Sequence, residues 1–191
     1  MTENIIPVEF VEKNPLRKKV LPLVLTITVF VADQVTKWLI TEHIPPYTIG
    51  FDFFDGILRI IHVYNTGAAF SMGHSLSEIL RMILLGVLPL VVLVFVLVIY
   101  FKSDEFTFFQ RWAIAGVLGG GLGNLFDRFF REQGVVDFID VKFYGIFGLE
   151  RWPTFNVADA AICVCGVLLI VSFARAIILE KKSEQKEAKN D

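Results

Sequence analysis

Residues 119–128 read Gly-Gly-Gly-Leu-Gly-Asn-Leu-Phe-Asp-Arg, so a glycine-rich apolar run ends in an amide, an acid and a guanidinium. Two more polar blocks follow it, Val-Val-Asp-Phe-Ile-Asp at 135–140 and Phe-Asn-Val-Ala-Asp at 155–159. A charged side chain at the centre of a bilayer costs about 3 kcal/mol or more, so polar groups at the ends of apolar runs are expected to form a site. Within these blocks, Asp137 and Asp159 are the candidates for a pair of acids.

The composition predicts an integral membrane protein in one domain, residues 1–191. Of its 191 residues, 54% are hydrophobic and 19 are Phe. A bilayer-spanning helix needs roughly 20 apolar residues. Four runs approach this length, at about 20–40, 82–101, 112–130 and 156–174. The net charge of -2 gives no reason to expect nucleic acid as a partner, whereas membrane lipid is expected to surround the spans.

Two external segments are expected between the spans, at 41–78 and 132–154. Pro45 and Pro46 end any helix, and residues 51–64 mix aromatic and β-branched residues, which is typical of short strands. The predicted fold is therefore an all-α membrane protein with four transmembrane helices, a small extracytoplasmic β-rich segment and a second external loop.

The positions of Lys and Arg predict the orientation in the membrane. Basic residues cluster in the predicted tails, 1–19 and 175–191, and in the connection between the second and third runs. Loops and tails rich in Lys and Arg lie on the cytoplasmic side. We therefore expect both termini in the cytoplasm and the polar ends of the first, third and fourth runs at the outer face.

The end of the first run carries two charges on one helix face. Asp33 and Lys37 stand four residues apart, so an acid one turn before a base can form an ion pair. A salt bridge with Lys37 extending toward the interface would explain both residues. Charged residues this deep, however, more often face the bundle or a cavity than lipid. The sequence leaves both interpretations open.

The third run combines small and polar residues on one face. Gly120, Asn124 and Arg128 follow at spacings of four, and Asp127 stands three after Asn124, so all four share one broad helix face. Close helix packing alone would explain the glycines. It does not explain the amide, the acid and the guanidinium, and the pattern therefore favours a binding surface.

Two further blocks have simple structural explanations. Asn65 and Gly67 are typical of a turn, and the small residues after them let a ligand come close. Asn156 and Asp159 stand three apart at the start of the fourth run, where Asn is a favoured helix cap and an acid meets the positive end of the helix dipole. A purely structural role and a chemical role for Asp159 both stay open.

A close pair of carboxylates supports a specific chemistry. Because both cannot ionise readily, one holds a proton while the other acts as a base near neutral pH. Such a pair can activate a water and protonate a leaving amine, which hydrolyses a peptide without a covalent intermediate. Asp127 is adjacent to a cationic Arg128, which suits a structural role. If residues 137–140 are extended, Asp137 and Asp140 point to opposite sides, so only one of them can face Asp159.

In five blocks the chain resembles bacterial lipoprotein signal peptidase, also called signal peptidase II. The blocks are residues 33–37, 65–71, 119–128, 135–138 and 155–159. The resemblance implies a four-span aspartic endopeptidase in the bacterial cytoplasmic (inner) membrane. It further implies that this enzyme removes the signal peptide from prolipoproteins by cutting before the diacylglyceryl-modified cysteine.

The resemblance also implies roles for particular residues, with Asp137 and Asp159 as the catalytic pair. The residues implied to line or support the site are Asp33, Lys37, Asn65, Gly120, Asn124, Arg128, Asn156 and Ala158. The strands of the first external segment would form a cradle on the membrane, and the second segment a flap over the substrate. Expected partners are lipid-modified prolipoprotein signal peptides and peptide-like inhibitors bound at the acid pair, with no cofactor.

Two other classes of function use the same features. A proton-coupled transporter could use intramembrane acids, but such folds usually show internal repeats and spans broken at mid-membrane, and no repeat is evident here. A membrane scaffold held by glycine packing leaves the polar residues unexplained. His43, His62 and His74 lack the spacing of metal ligands, so no metal site is predicted.

Overall fold

The structure, a computed structural model, describes residues 15–67 and 77–187. Residues 68–71 of the predicted turn block and the outer parts of both predicted tails lie outside this range. In chain order the elements are α1 (Pro15–Val20), α2 (Leu23–His43), β1 (Ile49–Phe53), β2 (Leu58–Asn65), α3 (Glu78–Met82), a π-helical turn (Ile83–Val87), α4 (Leu88–Lys102), α5 (Phe108–Phe130), β3 (Val135–Ile146), β4 (Leu149–Arg151) and α6 (Val157–Glu187).

Within the described residues, three helical stretches are long and apolar enough to cross a membrane. They are Leu16–His43, Glu78–Lys102 and Val157–Ser183, which correspond to the first, second and fourth predicted spans. The third predicted span forms α5, a helix of 23 residues. It is not one of the three, because its glycines and polar residues make it less apolar.

The glycine run of α5 packs against three helices at once. A Cβ atom at Gly119 would lie 2.8 Å from the carbonyl oxygen of Thr26 in α2, and one at Gly120 would overlap the carbonyl oxygen of Ala158 in α6. Gly121 faces a leucine side chain of α4 in the same way. The glycines therefore make α5 the central helix of the bundle, which explains how it can be less apolar than its neighbours.

The first two spans contain breaks that follow from proline. Pro22 separates α1 from α2, so the predicted first span begins earlier than expected and as two helices. Pro89 lies in the second predicted span, and a π-helical turn precedes it, in which the Leu88 N–H donates to the Ile83 carbonyl. Proline has no N–H for the carbonyl one turn earlier, and the wider turn accommodates this loss.

Two helix ends differ from the prediction. Helix α5 begins at Phe108 rather than near 112, because Thr107 and Gln110 form a reciprocal capping box at its start. Helix α6 continues to Glu187, past the predicted end of the fourth span near 174 and into the segment predicted as a tail. No Gly or Pro interrupts residues 175–187, and most of them are good helix formers.

The two segments that were predicted to be external form one antiparallel sheet of four strands, in the order β1-β2-β3-β4. Strand β2 of the first segment pairs with β3 of the second, with Val63 opposite Asp137. The second segment, predicted as an external loop or flap, thus contributes strands β3 and β4 to the same sheet. Pairing between strands some 70 residues apart in the chain is set by the fold and not by local sequence.

The sheet is held on the end of α2. Ile40 and Ile44 of the helix form a buried cluster with Val136 and Phe138 of β3. Because side chains alternate along a strand, Asp137 lies on the opposite face of β3 from its two apolar neighbours. This packing brings Asp137 to the start of α6.

Candidate active site

The start of α6 is closed by a reciprocal pair of hydrogen bonds. The Asp159 backbone N–H donates to Oδ1 of Asn156 at 2.9 Å, and the Asn156 backbone N–H donates to Oδ2 of Asp159 at 3.2 Å. The capping interpretation of these two residues is therefore correct. It fixes the Asp159 carboxylate in place and leaves its Oδ1 for another partner.

Asp137 is buried on β3 and accepts two amide hydrogen bonds. Its side chain receives Nδ2 of Asn65 at 2.9 Å on Oδ2 and Nδ2 of Asn156 at 2.7 Å on Oδ1. The Gly67 N–H donates to Oδ1 of Asn65 at 3.0 Å, which turns the amide of Asn65 so that its NH2 faces the acid. Asp137 thus lies in a site with little water, between two oriented donors.

The pKa of Asp137 is displaced upward by this environment. Burial raises the pKa to about 7, and the charge of Asp159 adds to the increase, while the hydrogen bonds from Asn65 and Asn156 oppose it. Near neutral pH this carboxyl group therefore retains a proton for a large part of the time.

The two acids are brought to one site by shared partners. Asn156 bonds to Asp137 through its amide and to Asp159 through its backbone N–H and its Oδ1. Nδ2 of Asn124 donates to Oδ1 of Asp159 at 2.7 Å. Among the described residues, each of the four carboxylate oxygens therefore accepts one hydrogen bond, which holds both groups in defined orientations.

A buried ionic cluster centred on Lys37 lies next to the acids. Its Nζ is 2.8 Å from Oδ2 of Asp33 and 2.7 Å from Oδ2 of Asp127, and all three side chains are 0% exposed. The predicted pair of Asp33 and Lys37 is present. The ammonium group, however, points into the bundle and does not extend toward the interface.

Lys37 also sets the orientation of Asn124. Its Nζ donates to Oδ1 of Asn124 at 3.0 Å. An ammonium group can only donate, so Asn124 must present its oxygen to Lys37 and its NH2 to the other side, where Asp159 lies. The buried cation therefore determines that Asp159 receives a donor.

Asp33 connects the ionic cluster to the backbone of α6. Its Oδ1 accepts a hydrogen bond from the Ala158 N–H at 2.9 Å. Helix α5 lies close to both of these partners. A Cβ atom at Gly123 would lie 2.5 Å from Oδ2 of Asp33, and one at Gly120 would overlap the Ala158 carbonyl. Gly120 and Ala158 therefore support the site through their backbone and their small size.

Asp127 and Arg128 have different partners from those expected. Asp127 is paired with Lys37 and with Nε of Arg131 at 2.9 Å, and not with its neighbour in sequence. Arg128 instead donates through Nη2 to the carbonyl oxygen of Gly67 at 3.0 Å. It therefore fixes the turn that follows Asn65, on the same side of α5 as the acids.

Asp140 is engaged elsewhere. Nε of Arg151 lies 2.7 Å and 2.6 Å from the two carboxylate oxygens of Asp140, and Nη1 of Arg151 donates to the carbonyl of Gly56. This ion pair fastens β4 to the turn between β1 and β2. Asp140 and Asp137 therefore have separate sets of partners, as their spacing in a strand predicts.

Two residues of the cluster were not predicted. Nε2 of Gln34 lies within 3.2 Å of Oδ2 of Asp33, Oδ1 of Asp127 and the carbonyl of Gly123. Arg131 directly follows the last residue of α5 and stands four residues after Asp127, so the spacing that identified Asp33 and Lys37 would also have identified this pair. Gln34 could not have been identified in this way, because its partners lie on another helix or next to it in sequence and not one turn away on α2.

The bundle, its sheet and the acid pair define a membrane protein with a polar site at one end of its helices. The family model described as signal peptidase (SPase) II matches residues 25–175. The chain belongs to this family and is a peptidase of the signal peptidase II type. This assignment does not favour the transporter alternative.

Similar proteins agree with this assignment. The lipoprotein signal peptidase of Treponema pallidum (strain Nichols) is 51% identical over 159 residues, which cover 83% of this chain and 86% of that protein. The lipoprotein signal peptidase of Treponema denticola is 51% identical over 162 residues, 85% of this chain and 93% of that protein. A bacterial membrane enzyme solved by the in meso method at 2.3 Å resolution is 28% identical, with a TM-score of 0.70 over 82% of this chain and 88% of that one.

Proposed function

We propose that the protein is an intramembrane aspartic endopeptidase that removes the signal peptide from prolipoproteins. It cuts before the diacylglyceryl-modified cysteine, and Asp137 and Asp159 activate the water. The observation that carries this proposal is the arrangement at Asn156, which bonds to both acids and holds them in one site. Membership of the signal peptidase II family supports the substrate class.

The unequal environments of the acids assign them different roles. Asp137 has a pKa raised to about 7 and holds a proton, so Asp159 is the base. Asp159 accepts a proton from water as the water oxygen attacks the peptide carbonyl, while Asp137 gives its proton to the carbonyl oxygen. When the C–N bond breaks, the leaving nitrogen takes the proton from Asp159, and a hydroxyl of the tetrahedral intermediate returns its proton to Asp137 as the carbonyl group re-forms, so the original protonation is restored. Peptide-like inhibitors are expected to bind at the same pair.

Cleavage should depend on the lipid of the substrate. Acyl chains placed between spans can orient the peptide bond at the outer interface, so their binding energy is expected to appear in the rate. We expect purified protein, with no ion gradient, to cut a lipidated precursor at least about tenfold faster than the same unlipidated precursor. Mass spectrometry of the products measures both rates. Equal rates would contradict the role of lipid, and no cleavage without an ion gradient would contradict the peptidase itself.

The pH profile should follow the proton on Asp137. Because the pKa of this group is raised to about 7, the proton is lost as pH rises through 7, and the pair then lacks its acid. We expect kcat/KM for the lipidated precursor to fall from about pH 7 upward. The measurement is the cleavage rate between pH 5 and 9 in one detergent and at one ionic strength. A rate that stays constant from pH 6 to 9 would rule out a protonated Asp137 as the acid.

The proposed topology has four spans, formed by α2, the α3–α4 stretch, α5 and α6, with both termini in the cytoplasm. The sheet then lies at the outer face of the bacterial cytoplasmic (inner) membrane as a cradle and flap for the substrate. The basic residues at the opposite end of the helices support this orientation. Reporter fusions after Lys19 and after Asp191 are expected to report the cytoplasm. A fusion that reports the outer side would place the acid pair on the wrong face.

A further inference from the structure

A chain of three hydrogen bonds connects Arg128 to Asp137 through the turn after β2. Nη2 of Arg128 donates to the Gly67 carbonyl oxygen at 3.0 Å. The N–H of the same glycine donates to Oδ1 of Asn65 at 3.0 Å, and Nδ2 of Asn65 donates to Oδ2 of Asp137 at 2.9 Å. Arg128 belongs to α5 and Asp137 to β3, so the turn connects one of the helices to the acid.

The backbone of Asn65 is fixed by the sheet, but its side-chain amide is not. Asn65 is the last residue of β2 and pairs with Val135 of β3. A Cβ atom at Gly134 would lie 2.6 Å from the Asn65 carbonyl oxygen, so the two chain segments are in close contact here. The amide can still rotate about χ2 with little change in shape, because its oxygen and its NH2 group are similar in size. The Gly67 N–H selects one orientation, since it must meet the oxygen.

The orientation of this amide determines where the proton of Asp137 can go. A neutral carboxyl group donates one hydrogen bond and accepts others. The NH2 groups of Asn65 and Asn156 face its two oxygens, and an NH2 group cannot accept the proton. If the amide of Asn65 rotated, its oxygen would face Asp137 and would accept this proton in place of the substrate. The Gly67 turn therefore keeps the proton available for the reaction.

We propose that Arg128 is a positioning residue for the acid step. It holds the Gly67 turn, the turn keeps the NH2 group of Asn65 on Asp137, and the Asp137 proton is left for the carbonyl oxygen of the substrate. This role rests on the proposed function, in which Asp137 supplies that proton. A guanidinium group suits it, because its donors lie in a rigid plane and hold a carbonyl oxygen in a defined direction.

The proposal is tested by a double-variant cycle on cleavage of the lipidated precursor. Arg128→Gln and Asn65→Ala are each expected to lower kcat by about tenfold or more. Because Arg128 acts through Asn65, adding Arg128→Gln to Asn65→Ala is expected to change kcat by less than about twofold. Losses that multiply in the double variant would show that Arg128 acts on the substrate or through its charge, and would overturn the proposal.

The pH profile separates positioning from a loss of stability. The Asn65 hydrogen bond opposes the rise in the pKa of Asp137, so its loss allows a further rise. The fall in kcat/KM above about pH 7 is therefore expected to move to higher pH in both single variants, and no further in the double variant. An unchanged profile in Arg128→Gln would count against the relay. The matched control Arg59→Gln breaks a partly exposed pair with Asp52 and is expected to keep the wild-type profile.

Hydrogen–deuterium exchange tests the hold on the turn without using the reaction. The Gly67 amide is expected to exchange at least about tenfold faster in Arg128→Gln than in wild type, in one detergent and at one pH. Equal exchange would show that the turn does not depend on Arg128 and would overturn the proposal. A wild-type protein that does not cleave the precursor would contradict the peptidase function instead, and the exchange result would be unaffected.

Discussion

Asp137→Asn and Asp159→Asn are each expected to lower the cleavage of a lipidated precursor by about 10³-fold or more. An amide cannot accept the proton of the water, and it cannot supply the proton that the carbonyl oxygen needs. Both variants are expected to fold, insert and bind a peptide-like inhibitor, because the amide keeps the shape of the carboxyl group. The measurement is single-turnover cleavage by purified protein, with inhibitor binding and thermal unfolding on the same samples.

The matched control for this prediction is Asp140→Asn. Asp140 lies three residues from Asp137 on the same strand and pairs with Arg151, so its loss weakens the attachment of β4 without touching the acid pair. It is expected to keep most of the activity. The assignment would be wrong if Asp137→Asn cleaved at nearly the wild-type rate while a folded Asp140→Asn was inactive.

Asp127→Asn provides a second comparison. Asp127 accepts from Lys37 and Arg131 and is fully buried, so it belongs to the ionic cluster rather than to the pair. The substitution is expected to lower the melting temperature. The rate of the chemical step, measured well below that temperature, is expected to change much less. Loss of activity at full stability would assign it a direct role instead.

The part of the site that could be predicted rests on local spacing. Asp33 and Lys37 stand four apart on a helix, and Asn156 and Asp159 stand three apart at a helix start, so periodicity and capping alone indicated that these side chains interact. The polar residues of the third run were likewise placed on one face of a helix. Each of these inferences uses geometry that extends over one turn.

The part that could not be predicted rests on contacts between distant segments. Whether Lys37 faces lipid or the bundle depends on Asp127, which comes from another helix 90 residues later. The pairing of β2 with β3 joins two segments that are separated by α3, the π-helical turn, α4 and α5, and the local pattern contains nothing that selects this partner. The local pattern also did not indicate that α6 continues past 174 as far as Glu187, because the residues there suit both an exposed helix and a solvated tail.

The same contacts explain why the structural and chemical interpretations of Asp159 are compatible. The capping bonds use the backbone of Asn156 and one oxygen of the acid, and the other oxygen faces Asn124. A carboxylate held by a helix start is already oriented, so little ordering is needed when substrate binds. The cap and the base can therefore be one residue.

The second large effect is expected at Lys37. Lys37→Met leaves Asp33 and Asp127 buried without their shared cation, which costs about 3–5 kcal/mol and lowers the melting temperature by about 10 °C. The double variant Lys37→Met, Asp33→Asn is expected to recover part of this loss, because Asp33 has no second cation among the described residues, whereas Asp127 keeps its pair with Arg131. The matched control is Arg59→Met, which breaks a partly exposed pair with Asp52 and is expected to cost less than about 1 kcal/mol. A Lys37→Met protein as stable as wild type would contradict the account.

The effect of Lys37 on chemistry is separated from its effect on stability by Asn124→Asp. The new carboxylate still accepts from Lys37, so the buried cation stays paired, but it offers Asp159 an acceptor in place of the Nδ2 donor. The base then faces a like charge in place of its hydrogen-bond donor, which turns the Asp159 carboxylate away from its position in the wild type. We expect cleavage to fall by about 10²-fold or more while the melting temperature changes far less than in Lys37→Met. Asn124→Gln keeps an amide at a longer reach and is expected to retain more activity than Asn124→Asp. If Asn124→Asp cleaves as fast as wild type, then the orientation of the amide by Lys37 has no part in the reaction, and the cluster serves stability alone.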